Sequence, residues 1–112
     1  MTMRIAVPCV NGKLCMHFGH CDQFAIVDTD SEKVTGVETL TPPAHEPGLL
    51  PRWLHEQGVN LVIAGGMGQR AQAIFADNDI QTIVGAPVET PENLATAWLK
   101  GSLASGENAC DH

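Results

Sequence analysis

Residues 61–68 read LVIAGGMG, and this stretch decides the fold. Its first four residues form a continuous apolar run, which is typical of a strand covered on both faces of a sheet. Glycines follow at once, and Ala71, Ile74 and Phe75 then recur at helical spacing. The stretch therefore predicts a buried strand that passes directly into a helix, as in an α/β protein.

The same patterns outside this stretch predict the remaining elements. The predicted strands cover residues 4–8, 24–28, 33–40, 61–64 and 80–84. The predicted helices begin near Leu50, after Gly68 and at Pro91, and end near Gly58, Asn78 and Gly101. A turn-rich segment at residues 28–31 indicates that the second and third strands form an antiparallel hairpin. We therefore expect an α/β fold with a mixed five-stranded sheet and helices on both faces.

The order of the elements also predicts where a ligand would bind. Right-handed parallel connections place the first predicted strand beside the fourth, and the chain leaves these two strands in opposite directions. Ligands of open α/β sheets bind at such a switch point, outside the carboxyl ends of the strands. The segments of interest are therefore residues 9–22 and 65–70.

The first of these segments is rich in soft metal donors. Residues 9–21 contain three cysteines, two histidines and one methionine, namely Cys9, Cys15, Cys21, His17, His20 and Met16. Thiolate, imidazole and thioether groups suit iron–sulfur clusters, copper(I) or zinc. The alternative is that Cys9 and Met16 fill apolar space and that the histidines cap turns.

Further donors lie elsewhere in the chain. His45 precedes the first predicted helix, where it is either a ligand or a solvated surface histidine. Cys110 and His112 end the chain, where they either fold back to the site or belong to a frayed terminus. The spacing of the cysteines includes no Cys-x-x-Cys pair, which disfavours a closed structural zinc site.

The second segment, residues 65–70, has features that favour the binding of an anion. Gly65, Gly66, Met67 and Gly68 precede a helix, whose amino terminus presents unshielded N–H groups and partial positive charge, and Arg70 lies in its first turn. The alternative is that the glycines only permit a tight passage from strand to helix. No Gly-Lys-Ser/Thr sequence follows, so the segment is not a P-loop.

Composition excludes several classes of function. The chain has 112 residues, 13 acidic against 6 basic side chains and a formal charge of −7, which disfavours binding to nucleic acid. Apolar runs are too short to span a membrane, and the first residues do not resemble a secretory signal. We therefore expect a cytoplasmic protein with reduced thiols, a single domain over residues 1–101 and a flexible tail over residues 102–112.

Several stretches together resemble a known family. They are residues 5–8 (IAVP), His17-Phe18-Gly19-His20, residues 24–27 (FAIV), residues 48–51 (GLLP) and residues 58–68. In this order, over residues 3–101, they resemble the dinitrogenase iron–molybdenum cofactor biosynthesis family of NifX-like and NafY-like proteins. The resemblance implies a ribonuclease H-like fold. It also implies binding of an iron–sulfur or molybdenum-containing cluster, or its precursor, as cargo in metallocofactor assembly or storage, without catalytic turnover.

The resemblance also implies particular residues. The histidine motif of the family falls on His17 and His20, and its glycine loop falls on Gly65, Gly66 and Gly68. The cysteines and the Cys-Asp-His ending depart from the family pattern, so thiolate ligation is expected to be particular to this chain. The implied partners are metallocofactor assembly proteins. A zinc- or copper-binding sensor module is the alternative function, and a nuclease is disfavoured because Cys9 and Gly65, not carboxylates, follow the two central strands.

Overall fold

A computed structural model describes residues 2–10, 12–15, 23–31, 33–41 and 49–103. Its elements are β1 (Thr2–Val10), β2 (Lys13–Leu14), β3 (Gln23–Asp30), β4 (Lys33–Leu40), α1 (Leu49–Glu56), β5 (Leu61–Ile63), α2 (Gln69–Asp77), β6 (Gln81–Ile83) and α3 (Pro91–Leu99). The strands form one mixed sheet in the order β4-β3-β1-β5-β6, and the short β2 pairs with β1. No helix in these described ranges is long and apolar enough to cross a membrane.

The predicted α/β architecture is confirmed, with one strand added. β1 is antiparallel to β3 and parallel to β5, so the first predicted strand does lie beside the fourth. The added strand is β2, whose two residues are too short to give a sequence pattern. The hairpin turn is tighter than predicted, because β3 continues to Asp30, which pairs with Lys33, and Ser31 has a φ of 58°.

Two apolar cores lie on opposite faces of the sheet. One face, which we call the α3 face, joins Ile5, Val7 and Val27 to Leu94 and Ala95 of α3. The other, the α1/α2 face, is formed by residues that include Ala6, Ile26, Leu54, Val62 and Phe75. Because strand side chains alternate between faces, β1 contributes neighbouring residues to both cores.

The helix ends follow the sequence signals. Gly58 has a φ of +82° and donates to the carbonyl of His55, while Val59 donates to the carbonyl of Leu54, which is a Schellman ending for α1. Thr90 caps α3 by accepting from the backbone N–H of Asn93 at 3.3 Å. The predicted capping roles of Gly58 and Thr90 are therefore confirmed.

The end of α2 holds a residue in an unfavourable backbone conformation. Asp79 has a φ of 60°, and its N–H donates to the carbonyl of Ala76, while Ile80 donates to the carbonyl of Phe75. This is again a Schellman ending, but with an aspartate at the position where glycine is best tolerated.

Asp79→Gly is therefore expected to stabilise the protein. We expect the free energy of unfolding to rise by about 0.5–1 kcal/mol, because relief of the left-handed strain exceeds the added entropy of the unfolded chain. Urea denaturation measures the change. Asp77→Gly, inside the last turn of α2, is the control and should lower stability by no more than about 0.5 kcal/mol, because aspartate is itself a weak helix former. Equal changes in the free energy of unfolding for the two variants would contradict the assignment of backbone strain to Asp79.

Arg4 connects four parts of the fold at the amino end of β1. Its Nη1 donates to the carbonyl of Gln57 at 2.7 Å, and its Nη2 lies 3.5 Å from the Glu38 carboxylate. Its buried Nε lies 3.2 Å from the Asp28 carboxylate, which is close enough for an ion pair although the contact is not aligned as a hydrogen bond. The backbone N–H of Arg4 also donates to the side chain of Asn60.

Candidate functional site

The carboxyl ends of β1 and β5 meet at one edge of the sheet. The parallel register pairs Ile5 with Leu61 and Ala6 with Val62, and continuing it brings Cys9 to the level of Gly65. From this edge the chain leaves β1 toward β2 and β3, and it leaves β5 toward β6. The predicted switch point is therefore present, and both segments singled out from the sequence begin there.

Cys9 belongs to the core at the end of β1. Its side chain is 4% exposed and packs within the apolar cluster of the α3 face. Its thiol donates to the carbonyl of Val7 at 3.2 Å. Burial raises the pKa of the Cys9 thiol to about 11, the nearby Cys15 adds to the rise, and a backbone hydrogen bond from Ala25 opposes it. Cys9 is thus a protonated thiol at neutral pH, which matches the apolar alternative stated for it.

Cys15 lies on the other side of the same hairpin. Gly12 turns the chain with a φ of +80°, Leu14 pairs with Cys9, and the N–H of Cys15 donates to the carbonyl of Pro8 at 2.8 Å. Cys15 is 5% exposed and is therefore about as buried as Cys9. Cys9 and Cys15 both carry thiol groups.

The glycine segment leads directly into α2. Gly68 is the N-cap residue with a φ of −63° and a ψ of 153°, and no side chain of the described residues caps the helix at this end. Gly65 and Gly66 are buried, whereas Gly68 and Arg70 are exposed. The first N–H groups of α2 therefore begin at an exposed glycine without a capping side chain beside them.

Met67 fixes this segment to the core. Its side chain is fully buried in the apolar cluster of the α1/α2 face. Its carbonyl accepts a hydrogen bond from Nε2 of Gln72 at 2.9 Å. Met67, predicted as part of the binding segment, thus holds that segment in place from the interior side.

A third segment, residues 84–90, lies at the same edge and was not singled out from the sequence. Gly85 donates to the carbonyl of Gly65 at 2.9 Å, and Leu14 donates to the carbonyl of Glu89 at 3.0 Å. The segment therefore links the cysteine hairpin to the glycine segment. The sequence did contain a signal, because β6 is parallel to β5 and the residues after both strands must lie at the same edge.

The predicted donor set is described only in part. His17, His20, Cys21, His45, Cys110 and His112 lie outside the described residues. Within the described ranges, no group of three or more His, Cys, Asp or Glu side chains could hold a metal ion. Of the predicted site residues, the structure therefore describes Cys9, Cys15, Gly65, Gly66, Met67, Gly68 and Arg70.

The carboxylate of Asp28 is far from this edge. Asp28 pairs with Arg4 in the register of β1 and β3, at the amino end of β1. A carboxylate there cannot act together with groups at the carboxyl ends of β1 and β5. This position agrees with the low expectation for a two-metal nuclease.

Comparison with known proteins identifies the family. The model of a family described as dinitrogenase iron-molybdenum cofactor matches residues 1–101. The chain belongs to this family. The family resemblance inferred from the sequence is therefore confirmed.

Individual proteins of known sequence or structure are similar to this chain over most of their length. The protein MJ0580 of Methanocaldococcus jannaschii is 28% identical over 110 residues, which are 94% of this chain and 92% of that protein. The crystal structure of PH0822 has a TM-score of 0.84 at 29% identity and covers 92% of this chain and 94% of its own. The apo form of the orange protein from Desulfovibrio gigas has a TM-score of 0.74 at 20% identity, covering 95% and 94%, which shows a shared fold.

Proposed function

We propose that this protein binds a preassembled anionic metal–sulfur cluster, or a precursor of one, at the carboxyl edge of its sheet. The cargo is an iron–sulfur or molybdenum–iron–sulfur cluster that the protein carries or stores during metallocofactor assembly, without catalysing a reaction. The description of its family, dinitrogenase iron-molybdenum cofactor, supports this class of cargo. The observation that carries the proposal is the uncapped amino terminus of α2 beside the end of β1.

The backbone supplies attraction that the net charge does not. The chain carries a formal charge of −7, which repels an anion at long range, but salt screens this repulsion beyond about 8–10 Å. At contact, each hydrogen bond from an N–H to a charged group contributes about 1.5–3 kcal/mol. The first turn of α2 offers such N–H groups, and the exposed Arg70 adds a positive charge beside them.

Side-chain ligands complete the proposed site. We assign direct metal contact to His17 and His20, with Cys15 and Cys21 as the thiol donors. Cys9 supports the hairpin instead, because it packs in the apolar cluster of the α3 face, donates to the carbonyl of Val7 and has a pKa raised to about 11. His45, Cys110 and His112 are further candidate donors, and the proteins that deliver or receive the cargo are proposed to be metallocofactor assembly proteins.

Anaerobic reconstitution tests the proposal. The full chain is incubated with ferrous iron and sulfide, with and without molybdate, and is separated from unbound ions before its visible spectrum is recorded. We expect a coloured protein-bound species that His17→Ala and His20→Ala each reduce at least about tenfold, the loss expected when a ligand or its oriented partner is removed. His55→Ala, an exposed histidine in the last turn of α1, is the matched control and should leave the spectrum unchanged.

Three results would contradict the proposal. The first is a protein that stays colourless under all these conditions. The second is tight binding of zinc or copper in place of a cluster, which would favour the sensor or adaptor module. The third is a loss of colour in the His55→Ala control as large as that in His17→Ala and His20→Ala. This result would show that the histidine motif has no specific role in binding the cluster.

A further inference from the structure

Most residues of β4 are exposed, and no described strand pairs with its outer edge. Among the strands that the structure describes, β4 is the last on its side of the sheet and pairs only with β3. Val37 in this strand is 48% exposed, and among the described residues only it and Val88 are large hydrophobic side chains with such exposure. An edge strand presents unpaired backbone N–H and C=O groups to which another strand can add.

A bulge changes which residues of β4 share a face. Val37 pairs with Val27, while Val34 pairs with Thr29, and the register shifts between these pairs so that Thr35 is the extra residue. Val27 and Thr29 are two residues apart and lie on one face, so Val34 and Val37 also share that face although they are three residues apart. This is the α3 face, since Val27 and Val34 pack in its cluster.

The same bulge brings two opposite charges to the other face. Lys33 pairs with Asp30 and Glu38 pairs with Ile26. Asp30 and Ile26 are four residues apart in β3 and therefore share the α1/α2 face. Lys33 and Glu38 consequently share this face although they are five residues apart, which an unbulged strand would not allow.

β4 is thereby complementary to a second copy of itself. If two β4 strands pair antiparallel with Lys33 opposite Glu38 of the second copy, Val34 falls opposite Val37 of the second copy. Opposed residues in an antiparallel pair lie on the same face, which both of these pairs satisfy. The two-fold symmetry repeats each contact, so the pairing contains two unlike-charge pairs on one face and two valine pairs on the other.

We infer that two copies of this chain associate through β4 in this register. Lysine and bulges are features with which proteins usually protect an edge, but in β4 the lysine has a glutamate to face and the bulge aligns both sets of partners. The formal charge of −7 per chain and the small area of a strand pair make the dimer weak and concentration-dependent. The inference is independent of the proposed cargo, because β3 lies between β4 and β1 and the pairing uses the outer edge of β4.

Sedimentation equilibrium on the full chain tests the inference. We expect reversible dimerisation at concentrations up to about 1 mM. Lys33→Glu and Glu38→Lys each create like-charge pairs at both symmetric positions, so each variant alone should dimerise about tenfold more weakly. An equimolar mixture of the two variants should recover association, because every facing pair in the mixed dimer then carries opposite charges.

Matched controls test whether the changes in dimerisation come from pairing in this register or from the altered net charge of the protein. Glu56→Lys and Lys100→Glu make the same charge changes at exposed positions near the ends of α1 and α3, and they should change neither the separate proteins nor their mixture. Val37→Thr keeps a β-branched side chain but makes the valine pairs on the α3 face less apolar, so it should also weaken the dimer. A wild-type protein that is monomeric throughout the range, or a mixture that associates no better than its components, would overturn the inference.

Discussion

Gly68→Asp is expected to stabilise the fold and to weaken cargo binding at least tenfold. Gly68 has an extended backbone conformation that any residue can adopt, and a Cβ atom added to it would meet no atom within 4 Å. An aspartate there can accept hydrogen bonds from the first turn of α2 and complement its positive end, which contributes about 0.3–1 kcal/mol. The same carboxylate would occupy the N–H groups proposed for the anionic cluster and would repel that cluster.

The two effects are measured separately. Urea denaturation of the metal-free protein gives the stability, and anaerobic reconstitution gives the amount of bound cluster. Gly68→Asn caps the helix without adding a charge, so it should stabilise the protein similarly while reducing cluster binding less. An aspartate variant that is stabilised yet binds as much cluster as the wild type would show that the amino terminus of α2 does not hold the cargo.

Arg4→Ala is expected to lower the free energy of unfolding by about 2 kcal/mol. Most of this loss comes from the hydrogen bond between the guanidinium and the carbonyl of Gln57 at the end of α1. The ion pairs contribute little, because the side chains of Asp28 and Glu38 are 50% and 59% exposed. Removal of the cation also leaves these two carboxylates on the α1/α2 side without their common partner.

Two further variants test why Arg4→Ala loses stability. Arg52→Ala removes an exposed arginine from α1 and should change stability by no more than about 0.5 kcal/mol. Arg4→Lys keeps the charge but not the planar group, so it should fall between the wild type and Arg4→Ala. Urea denaturation measures all three, and an Arg4→Ala variant as stable as Arg52→Ala would show that the Gln57 contact contributes nothing.

The central part of the fold was predictable because its sequence signals are local and agree with one another. The apolar run at residues 61–64 predicts β5, and Thr90, Pro91, Gly58 and Gly101 mark helix ends by conformations that these residues favour. The position of β1 beside β5 then follows from the handedness of parallel connections.

Other features depend on contacts that a single segment does not reveal. β1 and β3 extend beyond their apolar runs because eight residue pairs join them, and β2 exists only because Gly12 turns the chain back onto β1. The bulge at Thr35 likewise arises from pairing with β3. Propensity is overridden by tertiary pairing at these positions.

For the candidate site, the sequence predicted that the residues after β1 and β5 reach the same edge of the sheet, but not the state of the side chains there. Cys9 and Cys15 are both buried near the end of β1, and only the packing shows this burial and the raised pKa of the Cys9 thiol. Residues 84–90 were missed because no donor-rich motif marks them, and their position follows from hydrogen bonds to Gly65 and Leu14.

The attachment of the glycine segment has an entropic consequence. Met67 anchors its interior side, Gly85 binds the carbonyl of Gly65, and Gln72 binds the carbonyl of Met67. The conformational entropy of this segment is thus lost when the chain folds rather than when a ligand binds. A ligand would meet backbone N–H groups that are already oriented, which raises affinity because less entropy is lost on binding.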